Sequence, residues 1–103
     1  MEDKIKEILN ELGIRINVKG YWFWITAIEY KNEKKQASMA DVYEKVAEIH
    51  NTVPSRVERA LRHAYERIRD NVEQYFNIKY KINNSTFLLL ILEEVKRRKV
   101  ESV

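Results

Sequence analysis

Residues 46 to 63, Val-Ala-Glu-Ile-His-Asn-Thr-Val-Pro-Ser-Arg-Val-Glu-Arg-Ala-Leu-Arg-His, limit the available folds more than any other stretch, because they have the spacing of two helices joined by a tight turn. Val46 and Ala47 close one amphipathic helix on its buried side. Asn51 follows where the chain must reverse, and Asn tolerates the left-handed backbone region better than most non-glycine residues. Thr52 is placed to cap the next helix. Pro54 falls in that helix's first turn, where backbone N–H groups have no intrahelical partner and its fixed φ is preorganised; further in, it would damage the helix.

In the second helix, expected over about residues 53–69, Val57, Ala60, Leu61, Ala64 and Ile68 recur at i, i+3 and i+4 and form one apolar stripe that faces the core. The opposite side shows Ser55, Arg56, Arg59, Arg62, His63 and Glu66, with Glu58 on the flank. This basic surface begins at the helix N-terminus, the end that a helix-turn-helix presents to base edges.

Each residue type there has a chemical use. An arginine fork bonds guanine O6 and N7 together, Glu58 can accept from cytosine N4, and Ser55 or His63 can reach phosphate. A carboxylate near DNA is repelled by phosphate, so Glu58 is tolerable only if it accepts from a base or orients an arginine. The competing reading is a solvated face on which Glu58–Arg62 and Arg62–Glu66 pair at i+4, each pair worth only about 0.2–0.5 kcal/mol. Pattern alone leaves both readings open.

These residues resemble a known family. Ile14 to Tyr21 (Ile-Arg-Ile-Asn-Val-Lys-Gly-Tyr), Val46-Ala47, Asn51-Thr52, Ser55-Arg56-Val57-Glu58-Arg59-Ala60 and Arg62-His63-Ala64 look like the C-terminal effector domain of the stage-zero sporulation response regulators. The likeness runs from about Leu12 to Arg98, is closest in residues 55 to 64, and is weaker in residues 30 to 40 and 70 to 84. It implies an all-α domain of about six helices with a central helix-turn-helix that binds a short duplex box containing guanine and cytosine steps, often at tandem sites, and regulates transcription. By matching position it implies that Arg56, Glu58, Arg59 and Arg62 read bases, with Ser55 and His63 nearer the phosphates. Lys19, in the matching Lys-Gly-Tyr, is implied as a further phosphate contact; read by itself, it is a solvated lysine.

Two departures qualify that expectation. The family's regulators carry a receiver domain with a phosphoacceptor aspartate, whereas this chain starts about a dozen residues before the match. The expectation is therefore a freestanding effector domain, residues 1–103, unless the chain is a fragment. Asn71 to Asn84 also depart from the family's pattern, in the neighbourhood that the resemblance associates with RNA polymerase. The expectation is therefore binding to double-stranded DNA; a contact with RNA polymerase and a homodimer on tandem sites are further readings that the resemblance leaves open.

Composition is consistent with this. The 103 residues suffice for one core but not comfortably two, and 45% apolar with 34% charged residues is a globular balance. A net charge of +3 allows nucleic acid without demanding it. Local charge is more telling: Pro54 to Arg69 hold five arginines against two glutamates, and Lys96 to Lys99 read Lys-Arg-Arg-Lys. The absence of cysteine excludes a disulfide framework and fits the cytoplasm. No apolar signal region follows Met1, and the longest apolar run is the six residues Phe87 to Leu92, so no membrane association is expected.

Elsewhere, Ile5, Ile8, Leu9 and Leu12 predict a first amphipathic helix that Gly13 ends. Tyr21 to Tyr30 predict a second, with Tyr21, Trp24, Ile25 and Ile28 on one face and Trp22 and Phe23 pointing elsewhere. Core packing is the better reading of these aromatics than stacking on single-stranded bases; if exposed, Trp22 and Phe23 suggest a protein contact. Lys31 to Gln36 form a polar connector, and Ser38 with Asp41 resembles a capping box for the helix carrying Val42, Tyr43, Val46 and Ile49. Phe76, Ile78, Tyr80 and Ile82 alternate like a strand, although the resemblance implies an extended connector. Asn84 and Ser85 offer a cap for a last helix to about Lys99, whose apolar run is read as a core helix, or else a dimer contact.

Chemistry of other kinds has little support. His50 and His63 stand thirteen residues apart with no metal-ligand spacing, Gly13 and Gly20 cannot make a phosphate loop, and Ser38, Ser55, Ser85 and Ser102 lack a nucleophile setting. No enzyme activity, cofactor or metal is expected. The alternative to a DNA reader is a protein-interaction module that modulates the full-length regulator or RNA polymerase, without specific DNA binding of its own.

Overall fold

A computed structural model describes residues 1–101 of the chain; Ser102 lies outside the described residues. Six helices follow one another: α1 (Glu2–Leu12), α2 (Lys19–Glu33), α3 (Met39–Ile49), α4 (Pro54–Arg67), α5 (Arg69–Phe76) and α6 (Asn84–Glu101). No strand occurs among the described residues, so the fold is all-α with about six helices, as expected.

Local chemistry sets most of the boundaries. Gly13 ends α1 in the left-handed region at φ 101°, where an L side chain is strained. Ser38 and Asp41 form a complete capping box on α3: the Ser38 hydroxyl accepts from the Asp41 N–H and the Asp41 carboxylate accepts from the Ser38 N–H. The α2–α3 connector is shorter than expected, since α2 runs from Lys19 to Glu33. Lys31 holds the reversal by donating to the Lys35 and Ala37 carbonyls, at 2.9 and 2.6 Å.

Helix α2 is the centre of the molecule and packs against α1, α3, α4 and α6. Trp24, fully buried, sits where they meet. Its Nε1–H donates to the Leu61 carbonyl of α4 at 3.1 Å, and its ring meets Phe87 of α6 edge-on at 4.9 Å. Tyr65 of α4 packs on the same Phe87 at 5.3 Å, and its hydroxyl accepts from the Ile82 N–H.

Core packing was the expectation for the aromatics of α2, and Phe23 meets it: although it points away from the Tyr21–Trp24 face, it is buried against the His50 ring, 4.9 Å away, on the side of α2 that α3 covers. Trp22 does face outward, 40% exposed, yet its indole N–H is tied to the Ile16 carbonyl at 2.8 Å.

Other differences have similar causes. The buried face of α3 is Val42, Val46 and Ala47, which leaves Ile49 at the helix end 55% exposed. The alternation from Phe76 to Ile82 makes no strand: Asn77 ends α5 in the left-handed region, Ile82 enters the core and Tyr80 remains in solvent. The extended connector implied by the resemblance is what the chain forms. Asn83, not Asn84 or Ser85, caps α6, its Oδ1 accepting from the Thr86 N–H at 2.9 Å. From the apolar run, Phe87, Leu88, Ile91 and Leu92 are buried and Leu89 faces solvent, so α6 is a core helix.

At the other end of α6, Arg98 draws three helices together. It donates to both Glu11 oxygens at 2.8 and 2.7 Å, to Glu94 at 2.9 Å and to the Tyr75 hydroxyl at 2.8 Å, while Tyr75 donates to Glu94 at 2.7 Å. Glu94 is buried and also accepts from Arg97. The Arg97 contact first, aided by Tyr75 and Arg98, holds the Glu94 carboxyl at about 2 from an ordinary 4.5.

Two stability predictions follow from these contacts. A Cβ on Gly20 would lie 2.5 Å from the Ala64 Cβ and 2.9 Å from the Ala60 carbonyl oxygen, so α2 and α4 approach as closely as they do only because residue 20 is glycine. Alanine there gains at most about 0.5–1 kcal/mol of helix propensity, against about 1–3 kcal/mol of overpacking. Gly20→Ala is therefore destabilising on balance, read as a lower urea midpoint with an unchanged slope. For Glu94, whose folded pKa is depressed, the stabilisation is complete above pH 4.5 and is lost as pH falls toward about 2. Acid titration of stability will show a steeper loss in that window for the native chain than for Glu94→Gln.

Candidate nucleic-acid interface

The turn between α3 and α4 spans residues 50 to 53. His50 N–H donates to the Val46 carbonyl and Thr52 N–H to the Ala47 carbonyl, both at 2.9 Å, and Asn51 between them has φ 54°, the left-handed conformation expected of it. Thr52 is not the cap of α4. Val53 occupies that position with extended backbone and no side-chain cap, and Pro54 is the first helical residue. Proline itself removes one of the N–H groups a cap would serve.

Helix α4 ends at Arg67, short of the expected 69, because Ile68 leaves helical geometry and turns the chain into α5. Its apolar face is the expected one: Val57, Leu61 and Ala64 are buried, Ile68 beyond the helix end is buried too, Ala60 is half-buried, and Tyr65 joins them. That face meets α2, α3 and α6. The outer face is therefore uncovered.

On that outer face Ser55, Arg56, Arg59 and His63 are all exposed. Arg56 and Arg59 form no ion pair among the described residues, so their guanidinium groups are free to meet a ligand. Glu58 and Arg62 are half-buried and joined, Arg62 Nε to Glu58 Oε2 at 3.0 Å, with Glu66 on the other side of Arg62 at 3.5 Å. The face thus combines two unpaired arginines with one arginine already oriented by carboxylates. The two i+4 pairs of the solvated-face reading are present, and Arg56 and Arg59 stand outside them.

A concave surface flanks α4 on each side. One, of about 550 Å³, is lined by Lys19, Trp22, Phe23, His50, Asn51, Thr52 and Arg56. It brings exposed Lys19, the first residue of α2, to the same cleft as Arg56, although 37 positions separate them in the chain. The other cleft sets Glu58 and Arg62 beside Tyr43, Lys81, Asn83, Asn84 and Ser85.

Two residues of these clefts escaped the sequence reading. Asn84 is 7% exposed and its Nδ2 donates to the Tyr43 hydroxyl at 3.2 Å and to the Glu58 carbonyl at 3.3 Å, so it joins α3, α4 and the start of α6. A lone Asn ahead of an apolar helix signals a cap, and nothing local distinguishes it from a clamp. His50 is the other. Its Nε2 lies 2.7 Å from the Thr26 hydroxyl of α2, and burial pushes its pKa below the ordinary 6.5.

Among the described residues no helix is long and apolar enough to cross a membrane, and no group of three or more His, Cys, Asp or Glu side chains is placed to hold a metal.

The family model described as "Sporulation initiation factor Spo0A C terminal" matches residues 5–95. That family comprises DNA-binding effector domains that regulate transcription in sporulation and is not an enzyme family. The match covers α2 to α5 in full and most of α1 and α6, and the chain belongs to the sporulation initiation factor Spo0A C-terminal family.

Proposed function

We propose that this protein is a sequence-specific reader of duplex DNA that regulates transcription, with α4 lying in the major groove. The observation that carries the reading is the outer face of α4: Arg56 and Arg59 stand unpaired and exposed between Ser55 and His63, on a helix whose opposite face is fixed by three others. A helix fits the roughly 12 Å width of the major groove, and α4's fourteen residues span about 21 Å at 1.5 Å per residue.

The roles proposed are those that matching positions in the family imply, and the exposure of Ser55, Arg56, Arg59, His63 and Lys19 supports them. Arg59, at the centre of the exposed face, and Arg56 present free forks to guanine O6 and N7. Glu58 holds Arg62 before any DNA arrives, so less side-chain entropy is lost when Arg62 meets a base; both Glu58 oxygens accept from Arg62, at 3.0 and 3.5 Å, and a remaining lone pair can accept from cytosine N4. Ser55, His63 and Lys19 meet backbone phosphates and set register. Pairing of two copies on tandem boxes and a contact with RNA polymerase in the cytoplasm complete the proposed mechanism. The protein-contact alternative relied on Trp22, Phe23 and the last helix; Phe23 is buried, the Trp22 indole N–H is already bonded and most of the apolar run of α6 is buried, which leaves Leu89 as the main exposed side chain of that run.

Fluorescence anisotropy against a guanine- and cytosine-containing box and a scrambled duplex, at two salt concentrations, tests the proposal. A preference of about a thousandfold or more for the box is expected, with affinity falling by roughly 0.9 log units per phosphate contact for each tenfold rise in salt. Arg59→Ala should cost the box about 1–3 kcal/mol while the scrambled duplex loses less. Equal binding of the native chain to both duplexes would overturn the proposal.

A further inference from the structure

The cleft lined by Lys19, His50 and Arg56 has charges of one sign only. Lys19 comes from α2 and Arg56 from α4, and no carboxylate lines it among the described residues. Glu48, the nearest acidic residue in sequence to His50, is exposed and faces Lys45 at 3.6 Å. Trp22 and Phe23 form the apolar part of the wall. Such a cleft beside the reading face of α4 is complementary to an anion and repels cations.

His50 is the one group in it whose charge changes near neutral pH. Its ring is held in place by Phe23 and by the contact from Nε2 to the Thr26 hydroxyl, and Nδ1 has no partner among the described residues. A hydroxyl is both donor and acceptor, so Thr26 can donate to a neutral Nε2 or accept from Nε2–H without the ring moving. His50 is also the C-terminal cap of α3, where the helix carbonyls favour a cation. Protonation therefore leaves the anchoring bond intact and makes Nδ1–H a charged donor.

We propose that this cleft binds a backbone phosphate of duplex DNA at Lys19, beside the base-reading Arg56, and that His50 joins Lys19 as an imidazolium, so that binding takes up a proton from solvent. The proposal rests on the DNA-reading function above. It gives the turn of the helix-turn-helix a binding role of its own and makes affinity depend on pH. In the free protein, burial favours the neutral ring. A phosphate beside it reverses the preference by direct attraction.

The test is an NMR titration of the His50 ring signal, identified by its loss in His50→Gln or by its contact with Phe23, for the chain alone, with duplex box and with inorganic phosphate. The ring pKa should rise by about one unit or more on duplex binding. In a His63→Gln background, which removes the other histidine near DNA, affinity should increase by up to about tenfold from about pH 8 to about pH 6. His50→Gln should flatten that increase. If the chain binds duplex but His50 titrates identically free and bound, the proposal is overturned and the DNA reading stands. If the native chain binds no duplex, the DNA reading itself fails. A rise with inorganic phosphate and none with duplex would overturn assignment of the cleft to DNA. The ring signal of the native chain decides the matter even if the His50 variant does not fold.

Discussion

The close joint between α2 and α4 is the constraint on which the other features depend. Gly20 lets the start of α2 press on Ala60 and Ala64, and Trp24, a turn further along, donates to the Leu61 carbonyl inside the core. Burying a large side chain of this kind contributes about 1.5–3 kcal/mol, and an unmade bond at a buried indole N–H would cost about 1–3 kcal/mol in return. The bond therefore does less to add stability than to fix position: only one rotation of α4 satisfies Trp24. Phe87 then packs on Trp24 and Tyr65 together, which places α6 against both helices. With its inner face settled in this way, α4 has its arginines on the outside by necessity.

Charge is divided between two tasks. Arg98 is half-buried in a cluster with Glu11, Glu94 and Tyr75, drawn from α1, α5 and α6, and its work is to hold those helices. Arg62 is partly committed, through exposed pairs of small worth. Arg56 and Arg59 are uncommitted. The fold does not require two unpaired guanidinium groups on one helix face, and the proposed DNA reader uses them.

The features legible in the sequence were those whose causes are local. Gly13, the Ser38–Asp41 box, Asn51 and Pro54 each act through their own backbone or a residue three positions away, and all four sit where sequence reading put them. The apolar stripe of α4 was legible for the same reason. Not every local reading held: Thr52 does not cap α4, and Asn83 rather than Asn84 or Ser85 caps α6. The neighbours of individual side chains depended on distant partners: Phe23 packs on the His50 ring, 27 positions away, and Ile49 at the end of α3 is left exposed. Asn84 bonds to residues 41 and 26 positions away, and His50 to one 24 away, so no window of sequence could show either contact. The reading face of the candidate site was therefore legible, and its two flanking clefts were not.

The most direct test of the account is chemical-shift mapping of backbone amides as duplex box is added to the folded chain. The account predicts that the largest changes fall on residues 55 to 63 of α4, on the turn from His50 to Thr52 and on Lys19, with α1 and the C-terminal half of α6 nearly unmoved. Changes centred instead on Trp22, Leu89 and the exposed side of α6, with α4 silent, would contradict it.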